Sequence, residues 1–149
     1  MTIHFICRGN THRSLIAEAY LKSLQLKDVT VFSSGSVADF YRKLNEPRLL
    51  KVIARLSKHG IGQFAKTRAD QLTQERADSA DVTVCMNQIV VDECNQLFTL
   101  PPNTIVWDIV DTGEGHRIIK PGEDQSKYTE EIYQEITQKV DELVQSLHL

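Results

Sequence analysis

The residues best suited to chemistry stand near the N-terminus, at a predicted junction between a strand and a helix. Cys7 ends the apolar run of residues 3–7, which is typical of a buried strand, and residues 15–24 have the pattern of an amphipathic helix. Between them, loop N–H groups and the positive helix N-terminus would form an oxyanion cradle. Such a field favours Cys7 as a nucleophilic thiolate, and the planar fork of Arg13 matches two oxygens of a phosphate.

The remaining loop residues are expected to shape this cradle. The predicted phosphate-binding loop comprises Arg8, Gly9, Asn10, Thr11, His12 and Ser14. Asparagine tolerates a left-handed backbone, and the Ser14 hydroxyl can either donate to the thiolate or cap the helix. Ser34, after the second strand, is a candidate brace for the loop. His12 either starts the helix or adds positive charge below its pKa, and Arg8 either selects acidic substrates or faces solvent.

Residues 7–14 resemble the phosphate-binding loop of the low-molecular-weight protein tyrosine phosphatases and the related thioredoxin-coupled arsenate reductases. Those loops read Cys-x-Gly-Asn-x-x-Arg-Ser, and all five specified positions match. The resemblance continues at residues 32–36, 80–86 and 107–111, and so covers nearly the whole chain. It implies a phosphatase that hydrolyses phosphotyrosine, in a protein or a small aryl phosphate, through a phosphocysteine intermediate, without a metal or a cofactor.

The family's general acid is the aspartate of an Asp-Pro pair, and this chain lacks that proline. Asp111 aligns best, because it lies four residues after Trp107 and begins a loop, but Thr112 follows it. Asp111 is therefore predicted to be catalytic, with a plain turn aspartate and Asp108 as the alternatives.

Two aromatic residues are candidates for the wall of the site. Phe40 and Tyr41, in a predicted loop of residues 40–44, are the nearby aromatic residues that could pack against a phenyl ring. The family often has aromatic residues after Asp-Pro, where this chain has Thr112, Gly113 and Glu114.

Two other functions stay open. An arsenate reductase needs the same cradle and two further cysteines that relay a disulfide, for which Cys85 and Cys94 are candidates, although core packing is the favoured explanation of both. A non-catalytic oxyanion-binding protein is the third possibility, and the missing Asp-Pro pair is its best support.

Length, composition and net charge exclude several classes of protein. The chain has 149 residues, with 41% hydrophobic and 25% charged, which predicts a single globular domain over residues 1–149. A net charge of −3 argues against nucleic acid as the partner. Three cysteines suit a reducing compartment, and no apolar stretch approaches about 20 residues, so a cytoplasmic protein without membrane insertion is expected, as a monomer or weak dimer.

The elements that must position these residues alternate between strand and helix. Further strands are predicted at residues 29–34, 82–86 and 104–109, and helices at 45–59, with Pro47 in the first turn, at 88–97 and near the C-terminus. This alternation predicts an α/β fold with a four-stranded parallel sheet and helices on both faces. The family resemblance implies a flavodoxin-like, three-layer α/β/α arrangement with strand order 2-1-3-4. Cys7 and Asp111 would both follow carboxyl ends of strands, where such sheets bind ligands.

Overall fold

A parallel sheet of four strands forms the centre of the computed structural model, which describes residues 1–149. The strands are β1 (Thr2–Cys7), β2 (Thr30–Gly35), β3 (Val82–Cys85) and β4 (Ile105–Val106). Their order is β2-β1-β3-β4, with β1 paired to both β2 and β3 in parallel register. The predicted α/β fold and strand order 2-1-3-4 are thus confirmed, and β1 brings Cys7 to the middle of the carboxyl edge.

The fourth strand is shorter than the predicted residues 104–109. Regular pairing ends at Val106, yet Trp107 N–H still donates to the Cys85 carbonyl at 2.9 Å. Ile109 N–H then donates to the Met86 carbonyl, also at 2.9 Å. The chain therefore stays beside β3 as far as Ile109 and delivers the following loop to the same edge as Cys7.

Five α-helices connect and cover the strands. They are α1 (Arg13–Ser23), α2 (Ala38–Lys58), α3 (Gln74–Asp78), α4 (Gln88–Leu97) and α5 (Thr129–Ser146). Short 3₁₀ turns lie at Gly62–Phe64 and Gly115–Arg117. The predicted C-terminal helix is present as α5, which buries Ile132, Ile136, Val140 and Leu143. No helix is both long enough and apolar enough to cross a membrane.

The start of α2 differs from the sequence prediction. Residues 40–44 were expected to form a loop before a helix that starts at Asn45, but α2 already begins at Ala38. Asp39 N–H donates to the Gln71 side chain at 2.9 Å, which satisfies one of the free donors at the helix start. Pro47 lies inside the helix, where it lacks one N–H donor without ending the helix. The longer helix carries its first turns across the mouth of the loop that follows Cys7.

The end of β2 supports that loop at very close range. A Cβ atom on Gly35 would lie 2.6 Å from the Arg8 carbonyl oxygen and 2.9 Å from the Asn10 nitrogen. Only glycine can occupy this position without displacing the loop backbone. Val37 N–H donates to the same Arg8 carbonyl at 3.1 Å, so the strand end and the loop are joined directly.

Candidate active site

Cys7 lies at the base of a loop that folds back over its sulfur atom. The Sγ atom is 2.9 Å from the Ser14 hydroxyl, and Asn10 N–H donates to it at 3.2 Å. Several neighbouring backbone N–H groups donate to no other group of the protein, namely those of Arg8, Gly9, Thr11, His12 and Arg13. Unused loop and helix N-terminal donors of this kind suit an oxyanion.

The side chain of Asn10 holds the loop together. Its backbone has φ 57°, in the left-handed region that asparagine tolerates better than most residues. The amide nitrogen donates to the hydroxyls of Ser14 and Ser33, both at 2.8 Å, and the amide oxygen accepts from Asp70 N–H at 2.8 Å. Ser33 in turn donates to the buried carboxylate of Glu18 at 2.5 Å. The loop is therefore fixed by α1, β2 and the segment before α3.

The brace from β2 is Ser33, not Ser34 as the sequence suggested. The Ser34 hydroxyl contacts His4 Nε2 at 2.9 Å and accepts from Arg76 Nε at 2.8 Å, away from the loop. Because successive side chains of a strand point to opposite faces, only one of the two serines can reach Asn10.

Arg13 is almost fully buried, with 1% of its side chain exposed. Its Nη1 atom donates to the Ile109 carbonyl at 2.9 Å, which ties the guanidinium to the segment after β4. Its Nη2 atom lies 3.5 Å from Asp111 Oδ2 and 3.9 Å from Glu114 Oε1. The guanidinium thus stands between the Cys7 loop and the two carboxylates.

Asp111 is the acidic residue that reaches this cluster. Its Oδ1 atom accepts from Arg48 Nη2 at 2.9 Å and from Thr112 N–H at 2.8 Å. Burial raises the pKa of this carboxyl, but the contact with His12 and the charges of Arg13 and Arg48 outweigh burial and hold the pKa well below its usual range. Asp108 is exposed and does not line the cleft.

His12 is buried between the cations and Asp111. Its Nδ1 atom is 2.7 Å from Arg48 Nη2 and 3.2 Å from Asp111 Oδ1. Burial lowers the pKa of His12 and outweighs the effect of the neighbouring Asp111, so the imidazole is neutral at neutral pH. A positive charge on His12 is therefore expected only at acidic pH.

Cys7, His12, Arg48 and Asp111 line one open cleft of about 290 Å³. One wall comes from α2, where Tyr41, Leu44 and Arg48 lie about one turn apart, and the opposite wall comes from the loop after β4. Phe40 is 83% exposed and does not line the cleft; it packs edge-on against Tyr41. The side chain of Arg8 lies at the rim, where it pairs with Glu93 at 3.0 Å.

The other two cysteines belong to the core. Cys85 ends β3 and Cys94 lies in α4, and both are completely buried. A hydrogen bond to Cys94, together with burial, raises the pKa of the Cys85 thiol. No group of three or more His, Cys, Asp or Glu side chains is arranged to hold a metal ion.

Sequence reasoning missed two residues of this site. Arg48 comes from the middle of α2, and its side chain reaches Asp111 although 63 positions separate the two residues. Glu114 lines the cleft and accepts from the Asn87 side chain at 3.1 Å. The spacing of Tyr41, Leu44 and Arg48 would have indicated a shared helix face, but only if residues 40–44 had been assigned to the helix.

Comparisons with known proteins agree with this architecture. The model of a family described as low molecular weight phosphotyrosine protein phosphatase matches residues 2–149. A protein of that description from Sus scrofa is 31% identical over 100 residues, which are 64% of this chain and 60% of the pig protein. The match thus spans less than two thirds of that relative.

Solved structures with the same fold include two enzymes of different activity. An arginine phosphatase from Geobacillus stearothermophilus is 26% identical with a TM-score of 0.65, over 99% of this chain and 92% of that chain. A thioredoxin-dependent arsenate reductase from Corynebacterium glutamicum is 25% identical with a TM-score of 0.65, over 99% of this chain and 61% of the other.

Proposed function

The chain belongs to the low molecular weight phosphotyrosine protein phosphatase family, and we propose that it hydrolyses phosphotyrosine, in a protein or a small aryl phosphate, through a phosphocysteine on Cys7. The observation that carries this proposal is that Cys7 and Asp111 line one cleft, with the buried Arg13 guanidinium beside Asp111. The Arg13 guanidinium lies 3.5 Å from Asp111, and Cys7 is at the base of the loop from which Arg13 begins α1.

In the first step the Cys7 thiolate attacks phosphorus in line with the leaving oxygen. A sulfur–phosphorus bond forms and the phosphorus–oxygen bond breaks, and its electron pair stays on the phenolic oxygen. The pKa of Asp111 is low in the free protein, but the negative charge of the bound phosphate raises it in the enzyme–substrate complex. Asp111 is protonated there, gives that oxygen its proton and becomes a carboxylate. Arg13 and the loop N–H groups neutralise the charge on the three equatorial oxygens.

In the second step Asp111 takes a proton from water as the water attacks the phosphocysteine. An oxygen–phosphorus bond forms, the sulfur–phosphorus bond breaks, and Cys7 leaves as a thiolate. The Ser14 hydroxyl, 2.9 Å from the sulfur, stabilises that thiolate by a hydrogen bond. Inorganic phosphate and the phenol are the products.

The cleft walls favour a planar leaving group of moderate size. Tyr41 and Leu44 supply one apolar side along α2, and the rim residue Arg8 stacks over the Tyr41 ring at 5.4 Å. A phenyl ring of the substrate can pack against Tyr41, and the contact with Arg8 holds the Tyr41 ring in place.

Phosphoarginine is a second candidate substrate, suggested by the similarity to the arginine phosphatase from Geobacillus stearothermophilus. The specific support is the acidic wall opposite Tyr41, where Asp111 and Glu114 both line the cleft. A guanidinium leaving group carries N–H donors that carboxylates accept well.

Arsenate reduction is less favoured. A relay needs cysteines that reach the nucleophile in turn and finally an external reductant, but Cys85 and Cys94 are completely buried. Binding of an oxyanion without turnover would leave the cluster around Asp111 without a role.

A side-by-side assay separates these possibilities. The protein would be given an aryl phosphate, a phosphotyrosine peptide, a phosphoarginine peptide and, with thioredoxin and its reductase, arsenate. We expect turnover of the first two, which the double variant Cys85→Ala/Cys94→Ala should retain within a few-fold. Exclusive turnover of phosphoarginine would favour the second substrate, and arsenate reduction that the double variant loses would favour the reductase.

A further inference from the structure

Arg48 lies on the wall of the cleft opposite Asp111, and it links Asp111 to the buried His12. We infer that Arg48 positions Asp111 for proton transfer, by occupying the Oδ1 atom so that the transferable proton sits on Oδ2. This inference rests on the proposed function, in which Asp111 is the general acid. Arg48 itself is not expected to touch the reacting atoms, so it is a positioning residue.

The two oxygens of Asp111 have unequal surroundings. Oδ1 accepts from Arg48 Nη2 at 2.9 Å and from Thr112 N–H at 2.8 Å, whereas the nearest cation to Oδ2 is Arg13 Nη2 at 3.5 Å. A proton and a hydrogen-bond donor compete for the same lone pairs, so a carboxyl group is protonated at the oxygen that accepts fewer bonds. Here that oxygen is Oδ2, which faces the guanidinium proposed to hold the phosphoryl group.

The contact with His12 fixes the position of Arg48 in turn. A guanidinium can only donate, and Arg48 Nη2 lies 2.7 Å from His12 Nδ1, so this nitrogen carries a lone pair and the ring proton is on Nε2. In that tautomer His12 Nδ1 and Asp111 Oδ1, 3.2 Å apart, are both acceptors. Arg48 bridges them, because its terminal nitrogen has one hydrogen for each.

The charges around Asp111 set the direction of the expected effect. It faces Arg13 from α1, His12 from the loop before α1, Arg48 from α2, and Glu114 from its own loop. Loss of Arg48 removes one of the two cations and leaves the neighbouring carboxylate Glu114. The pKa of Asp111 should then rise. His12 Nδ1 becomes free to carry a proton and donate it to Oδ1, and this donor replaces only part of the stabilisation that the Arg48 cation supplied.

The first test is the pH dependence of kcat, which reports the acid in the enzyme–substrate complex, for an aryl phosphate with a poor leaving group, in Arg48→Gln and Arg48→Met. The falling limb, which reports loss of the Asp111 proton, should move to higher pH by about one unit in both variants. Lys51→Gln is the matched control, because Lys51 is an exposed cation of the same helix that pairs with Asp124, and its limb should stay in place. A limb that stays in place in the Arg48 variants as well would overturn the inference.

A double-mutant comparison keeps this result separate from the proposed function. Asp111→Asn alone should slow poor leaving groups far more than good ones, and adding Arg48→Gln to it should cost less than about threefold further. If Asp111→Asn shows no such dependence, the role of Asp111 fails, and the role of Arg48 with it. If that dependence is present but the two substitutions act additively, only the inference about Arg48 is overturned.

Nitrogen NMR of the imidazole gives a readout that is independent of activity. In the wild-type protein at neutral pH, His12 should have an unprotonated Nδ1 and a protonated Nε2. In Arg48→Met, Nδ1 should become protonated, and the pKa of His12 should rise. An Nδ1-protonated ring in the wild-type protein would contradict the bridging arrangement.

Discussion

The Sγ atom of Cys7 and the Oγ atom of Ser14 lie 2.9 Å apart, although Cys7 ends a strand and Ser14 stands in the first turn of a helix. The Ser14 oxygen also accepts from the Asn10 amide at 2.8 Å. Since that bond uses a lone pair of the oxygen, the hydroxyl hydrogen is free to point at the sulfur. The loop thus presents a directed donor to the proposed nucleophile.

Removal of this donor should slow catalysis without abolishing it. We expect Ser14→Ala to lower kcat for an aryl phosphate about tenfold to a hundredfold, because a hydrogen bond to a charged group contributes roughly 1.5–3 kcal/mol. Steady-state kinetics measure this, with Ser23→Ala at the far end of the same helix as the control. Hydrolysis by Ser14→Ala within twofold of wild type would exclude a role in thiolate stabilisation.

Arg13 should not tolerate lysine. A lysine presents a point charge and cannot make two parallel bonds to the transferring group, so Arg13→Lys should lose at least about a hundredfold in kcat/KM. Arg55→Lys, on α2 beside Glu130, is a control for the same exchange outside the cleft. A loss below about fivefold, with unchanged thermal stability, would mean that Arg13 does not clamp the phosphoryl group.

The choice between the two aspartates can be tested with leaving groups of different pKa. Asp111→Asn should slow substrates with poor leaving groups most, because a good leaving group departs without a proton. Asp108→Asn should behave like the wild-type protein, since Asp108 is exposed and outside the cleft. The opposite pattern would show that Asp108 is the acid and that the alignment across the missing proline is wrong.

A buried histidine should make folding stability depend on pH. Burial, followed by the charges of Arg76 and Lys66, lowers the pKa of His4 to about 3. At pH values between about 3 and the unfolded pKa of about 6.5, the unfolded chain binds a proton at His4 that the folded protein does not. The free energy of unfolding therefore falls as the pH falls through this range.

The slope from this one group should approach about 1.4 kcal/mol per pH unit near pH 5. Denaturant unfolding at several pH values should show a shallower dependence in His4→Gln than in wild type. His116→Gln, which changes an exposed histidine, is the control. Equal slopes in His4→Gln and wild type would mean that His4 titrates similarly in both states.

The sequence predicted the sheet well because the strands and their connections are local features. An apolar run followed by a loop and a helix defined the end of β1. The alternation of strands and helices predicted a parallel sheet, and the family resemblance implied its strand order. The motif of residues 7–14 also located the loop that joins β1 to α1. What the sequence could not provide was the partner of each polar side chain across the cleft.

The errors in the prediction have physical causes. The sequence pattern predicts Pro47 in the first turn of a helix, but tertiary contacts such as the Gln71 bond to Asp39 N–H extend the helix before it. That error placed Tyr41 on a loop. Ser34 is the candidate brace from the sequence, but which of two adjacent serines faces the loop depends on the phase of the strand, which the sequence does not show. Arg48 was missed because its contacts with Asp111 depend on the packing of α2 over the loop.

The most direct test of a phosphocysteine mechanism is rapid acid quenching of the protein during turnover of an aryl phosphate, followed by mass spectrometry of its peptides. We predict one phosphoryl group on Cys7, formed within the first turnover, and none on Cys85 or Cys94. Cys7→Ala should show neither the label nor turnover. Hydrolysis at the normal rate without a phosphorylated Cys7, or turnover that survives in Cys7→Ala, would contradict the account.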